Sequence, residues 1–192
     1  MAIDNEIQLD RLARSFAAVG VLIDAIQSDQ WSAPTQCMDW TVHRLVEHLA
    51  GKNMVFTAVL AEQPLPQRGD GVPSDQLARA YRESAAGLLD AFAQPGVLDR
   101  SYQGPLGVAT GAERLKIRMY DLLAHGWDLA QALGRPVDLP EDAVEESLAF
   151  ARADGRAVRP GGGCFGPPRP VADTAPAIVR LVAFLGPDVP AA

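Results

Sequence analysis

Only two cysteines, Cys37 and Cys164, occur in the 192 residues, too few and too far apart to read as a disulfide framework or a cysteine-based zinc site. Positive charge is also scarce: 17 Lys and Arg stand against 24 Asp and Glu, a formal net charge of −7 with a pI near 4.9. A surface of that sign repels phosphate backbones and anionic lipid at long range, and no Lys/Arg cluster offsets it. Nucleic acid and membrane surfaces are therefore not expected partners. Long apolar runs are missing too, since stretches such as 17–23 and 181–185 fall far short of the roughly 20 residues that span a bilayer. The opening MAIDNEIQLD lacks a basic start followed by an apolar run, so no secretory signal is read and the cytoplasm is the expected location.

Hydrophobic residues make up 48% and charged residues 21%, enough apolar surface for one domain with a real core. The apolar residues fall at helical rather than strand spacing. Leu9, Leu12, Phe16, Val19, Ile23 and Ile26 form a first stripe. A second helix is expected from a Thr41 N-cap, with Val42, Leu45, Leu49 and Phe56 on one face. A third begins near Ser74 and carries Leu77, Tyr81, Leu88 and Phe92, with Ser84 as a polar interruption; a fourth spans about 112–133 with Leu115, Met119, Leu122, Leu129 and Leu133. The glycines and proline of 97–110 read as a connector with at most a short extended piece. These signals give an all-α four-helix bundle over residues 1–155, including a shorter helix at about 141–153. An irregular Gly/Pro-rich extension over 156–192 is expected to close with a short helix near 174–185.

There are three histidines. His43 lies about 140° around the second helix from His48, so the two cannot share a ligand, and His43 is expected to face solvent. His48 flanks the apolar stripe. On the fourth helix Asp121 and His125 are four residues apart, about 40° around the axis, with one side chain a turn above the other. One histidine from the second helix and an Asp-x3-His pair from the fourth can chelate a divalent cation between helices. Spacing alone leaves the alternatives open: a hydrogen-bonded core histidine for His48, and a local helix contact for the Asp–His pair.

The segments CMDWTVHRLVEHLAGKN, RMYDLLAHGWDLAQALGRPVDLP and CFGPPRPVADTAPAIVRLVAFLG resemble the actinobacterial branch of the DinB-like metal-binding superfamily, related to the N-terminal domain of mycothiol-dependent maleylpyruvate isomerase. The resemblance covers nearly the whole chain and is most specific in the D-W-T-V-x-x-L-x-x-H-L and H-G-W-D-L-A runs. It implies a DinB-like four-helix bundle with His48, Asp121 and His125 as metal ligands. Asp121 stands where many relatives have a third histidine and the isomerase has a longer glutamate. The implied cofactors are a divalent metal, zinc first and nickel, iron or manganese next, and a low-molecular-weight thiol such as mycothiol. The implied function is a thiol-dependent S-transferase or isomerase acting on a small electrophilic substrate. The alternative is a non-catalytic metal-binding or stress-related ligand-binding module. A homodimer is compatible with either reading.

Of the remaining residues, Asp128 continues the Asp121–His125 side of the helix. It reads either as an acceptor for a ligand histidine N–H or as an anchor for a nearby loop. Trp127 reads as packing, and Gly126 as a point of close helix approach. Arg79 and Arg82 read as solvated surface arginines, the alternative implied by the resemblance being an arginine that holds a substrate carboxylate. Cys37 reads as packing in the loop entering the second helix, and Cys164 in the Gly-rich loop as a packed or exposed cysteine, the alternative being a reactive thiol or a residue that closes over the metal.

Overall fold

A computed structural model describes residues 2–37, 39–66, 72–105, 107–154 and 165–186. Six α-helices and one hairpin follow in order: α1 Ala2–Asp24, α2 Val42–Leu60, α3 Ser74–Phe92, β1 Ser101–Gly104, β2 Gly107–Thr110, α4 Gly111–Leu133, α5 Glu141–Ala153 and α6 Ala177–Leu185, with a 3₁₀ turn Gln30–Ser32 after α1. The expected helices are present, and α1 begins earlier than its apolar stripe. The connector before α4 holds an antiparallel hairpin, Ser101 pairing with Thr110 and Gly104 with Gly107.

Neighbouring helices pack as α1 on α3, α3 on α2, α2 on α4 and α4 on α1. That closed order makes a four-helix bundle, a DinB-like all-α fold, in which α1 and α2 stand diagonally opposite. The chain between them must cross one end of the bundle, which brings the 25–41 loop over the α2–α4 seam. On the far side α4 is covered by α5 and α6, so it is buried nearly all round, its Arg114, Arg118, His125 and Asp128 included. The core runs through Leu12, Phe16, Leu45, Leu49, Leu88, Leu122 and Leu129.

Local chemistry fixes where α2 and α4 begin. The Thr41 hydroxyl accepts the Arg44 N–H at 3.3 Å, as an N-cap should. At α4, Thr110 and Glu113 form a reciprocal capping box that satisfies two otherwise unpaired backbone groups. The next residue can only be glycine, because a Cβ on Gly111 would lie 2.1 Å from the Val97 carbonyl oxygen. The buried Arg114 then reaches back with Nη2 to the carbonyls of Tyr102 and Gly107, at 2.5 and 2.9 Å, and pins the hairpin to the helix. Further along, a Cβ on Gly126 would lie 2.6 Å from Cγ2 of Val19, so α1 and α4 do approach closely where the sequence places its mid-helix glycine. Trp127 packs in the core.

Candidate metal centre

Residues separated by more than 70 positions meet at the α2–α4 seam. Nε2 of His48 lies 3.8 Å and Nε2 of His125 lies 3.7 Å from the same oxygen, Oδ1 of Asp121. The three donor atoms all fall within 4.8 Å of one another. The side chains are 16%, 3% and 13% exposed, His125 being sealed and the other two retaining a little access to solvent. Nε2 of His48 is buried without a hydrogen-bond partner among the described residues, and 3.8 Å is too long to make one with Asp121.

Protonation is set by this packing. Burial pushes the His125 imidazolium down to about 3 despite the nearby Asp121 carboxylate, so the ring is neutral at pH 7 with a lone pair to offer. Burial by itself would raise the Asp121 carboxyl, but His48, His125 and Arg118 outweigh it and hold the group below the ordinary carboxylate range. The neutral His125 nitrogen, Nε2 of His48 and one carboxylate oxygen thus face a common point. Tetrahedral zinc, with ligands at about 2.0–2.2 Å, sets its donors about 3.4 Å apart, so each imidazole would move a few tenths of an ångström toward Oδ1 of Asp121. The donor set suits a borderline divalent cation and leaves room for a further ligand.

Rings wall the site. Trp40 sits 4.7 Å from the His48 ring and stacks on His125 at 5.8 Å, while Phe165 also stacks on His125 at 5.2 Å. Phe165 is carried there by the segment before α6, where the Gly166 N–H donates to the Leu185 carbonyl at 2.8 Å. Gly186 ends α6 in the left-handed region at φ 80°, and a Cβ there would lie 2.5 Å from Gly166. Trp40 is presented by the loop entering α2, whose Thr35 N–H donates to the Trp40 carbonyl at 3.0 Å.

Asp128 anchors that loop. Its Oδ1 accepts the Gln36 N–H at 2.7 Å, and burial raises its carboxyl to about 6 against the pull of the Gln36, Cys37 and Thr35 hydrogen bonds. Of its two sequence readings, the loop anchor is the one with direct contacts. Sγ of Cys37 lies 3.1 Å from Oδ2 of Asp128 and 3.9 Å from Nδ1 of His125. Those three residues form a second cluster of metal-ligand type that shares His125. Cys37, however, is disulfide-bonded, which corrects the expectation of a simply packed thiol and removes its sulfur as a thiolate ligand. Cys164 lies outside the described residues.

Other expectations fall away from the site. His43 is half-buried rather than solvent-facing, with Nε2 3.0 Å from the Val72 carbonyl and its ring edge-on to Trp31. Arg79 pairs with Glu83 and Arg82 with Asp24, all exposed. Two residues that spacing did not single out are Arg118 and Asn53, both fully buried. Nη1 of Arg118 donates to Oδ2 of Asp121 at 2.9 Å and its Nε to Oδ1 of Asn53 at 2.8 Å. The available signal was an arginine inside the apolar side of the fourth helix, three residues before Asp121.

Among the described residues no helix is long and apolar enough to cross a membrane. Residues 12–130 match the family of the mycothiol maleylpyruvate isomerase N-terminal domain. Uncharacterized proteins from two strains of Mycobacterium tuberculosis are each 35% identical over 176 residues, covering 90% of this chain and 93% of theirs. The bundle is also similar to crystal structures of mycothiol-dependent maleylpyruvate isomerase. A mutant form has a TM-score of 0.65 at 17% identity and another structure 0.62 at 16%, each covering 76% of this chain and 68% of that one. On its matched sequence, the chain belongs to the mycothiol maleylpyruvate isomerase N-terminal domain family.

Proposed function

We propose that this protein is a divalent-metal-dependent enzyme that uses a small thiol of the mycothiol type to transfer to, or isomerise, a small electrophilic substrate. His48 and His125 through Nε2 and Asp121 through Oδ1 would hold the metal, with zinc the best match to the donor set. The observation that carries the reading is the partnerless buried Nε2 of His48, aimed at a carboxylate oxygen that a second imidazole also faces. A buried polar atom without a partner costs about 1–3 kcal/mol, and a cation between these three donors relieves that cost. When bound, a divalent cation supplies Lewis acidity that lowers the pKa of a coordinated thiol or water.

The chain's own residues do the rest. The neutral His125 ring, stacked by Trp40 and Phe165, keeps its lone pair directed at the site. The Trp40 ring beside His48 excludes water from one flank and offers an apolar face to a bound organic ligand. Asp121 supplies the one negative charge among the three donors. The thiol is tested directly. Cobalt-substituted protein is titrated with mycothiol, and the visible absorption is followed. A shift that is absent from His48→Ala supports the reading. Cobalt uptake with no response to thiol would instead make the protein a non-catalytic metal-binding module.

A further inference from the structure

We infer that Arg118 is the positioning residue of this centre: it confines Asp121 to a single ligand oxygen and holds α2 and α4 in the register that sets His48 opposite that oxygen. The inference rests on the metal reading above. The Arg118 guanidinium is fully buried and divides its donors among three partners. Nε goes to Oδ1 of Asn53 at 2.8 Å, Nη2 to the Leu49 carbonyl at 3.2 Å, and Nη1 to Oδ2 of Asp121 at 2.9 Å. Leu49 follows His48 directly and Asn53 lies just over one turn beyond it, so the fork grips α2 at the turn that carries His48.

Asn53 is itself held, its Nδ2 donating to Oγ of Ser84 on α3 at 3.1 Å, and that hydroxyl donating to the Tyr81 carbonyl at 3.0 Å. The Phe16 ring of α1 lies against the guanidinium at 5.5 Å. All four bundle helices therefore fix one side chain, and that side chain fixes Asp121. A rigid planar fork can do this where a lysine ammonium cannot.

The consequence for the site is chemical. Oδ2 of Asp121 is committed to Arg118, and only Oδ1 faces the two imidazoles. Ligation through both oxygens would break the bond to Nη1. The guanidinium also offsets the one carboxylate charge of the donor set, so a cation held there keeps more of its own charge to polarise a bound thiol. A purely structural buried ion pair would cost stability when broken but would leave coordination in the folded protein unchanged.

Cobalt(II) titration of the full chain, read by visible absorption with circular dichroism as the check on folding, separates the two roles. Wild type should take up one equivalent with the intense bands of a four-coordinate site. Arg118→Lys keeps the charge and loses the fork. It should bind about 10–100-fold more weakly, with less intense bands as Asp121 turns its second oxygen to the metal. Asn53→Ala leaves the guanidinium but removes its hold on α2, and should weaken binding about tenfold with the same change of bands. Wild-type bands in both folded variants overturn the inference, whatever their stability. If Arg118→Lys does not fold, Asn53→Ala decides alone. No cobalt uptake by wild type would overturn the metal reading and this inference with it, whereas uptake with variants indistinguishable from wild type overturns this inference only.

Discussion

Replacing His48 with Phe is expected to stabilise the metal-free protein while abolishing its response to metal. Nε2 of His48 is buried without a partner, and leaving such an atom unsatisfied costs about 1–3 kcal/mol. A phenyl ring removes that cost and keeps an aromatic contact to Trp40, whose centroid lies 4.7 Å away. Two effects act against the gain: the larger ring must fit a side-chain site only 16% exposed, and Asp121 loses a favourable neighbour. The net expectation is a gain of about 1–2 kcal/mol, which for a domain of this size is about 2–8 °C in Tm. For wild type, metal at 100 times its Kd adds about 2.7 kcal/mol, or about 5–11 °C. The order of stability should therefore invert: the variant leads in chelator, and wild type leads in zinc. Thermal unfolding by circular dichroism under both conditions checks this. A variant less stable than wild type in chelator, or one that zinc stabilises as strongly as wild type, would show respectively that Nε2 of His48 is not an unmet buried polar atom or is not a metal ligand.

Other perturbations reach the scaffold. Gly126→Ala forces a Cβ to within 2.6 Å of Val19 Cγ2 and should cost about 1–2 kcal/mol net of its helix-propensity gain; denaturant unfolding should show Val19→Ala recovering part of the loss in the double variant. Asp128→Ala removes the acceptor of the Gln36 N–H and should cost about 1.5–3 kcal/mol, with faster amide exchange at Gln36 and Cys37. Asp142 accepts from Arg14 and Arg11, which hold its folded pKa below the ordinary 3.8. The unfolded chain therefore takes up the proton first, and the contribution is complete above about pH 4 and fades as pH falls further. For so exposed a cluster it amounts to about 0.5–1 kcal/mol, and Asp142→Asn should flatten that part of the stability–pH curve.

The bundle was legible because its helices announce themselves locally. The 3.6-residue stripes of α2 and α4 and the Thr41 cap act within a turn or two, and Asp121 and His125 share a face by helix geometry alone. Their meeting with His48 depends on which helices become neighbours, which no spacing within one helix contains; the resemblance to a known family supplied it. Arg118 escaped notice for the same reason, since Leu49 and Asn53 lie 69 and 65 residues away and an isolated arginine on a helix reads as surface. The hairpin escaped because two four-residue strands are too short to leave an alternating pattern. The disulfide at Cys37 left no local pattern in the sequence around it. His43 was misplaced because the wheel marks it polar without showing that the Val72 carbonyl covers it.

The proposed function requires that His48, Asp121 and His125 together hold one divalent cation. Metal content of the purified chain, compared with Asp121→Ala and His125→Ala prepared identically, tests it most directly. Wild type should carry close to one equivalent and either folded variant essentially none; a metal-free wild type after exposure to zinc, or variants that keep a full equivalent, would rule out a shared site.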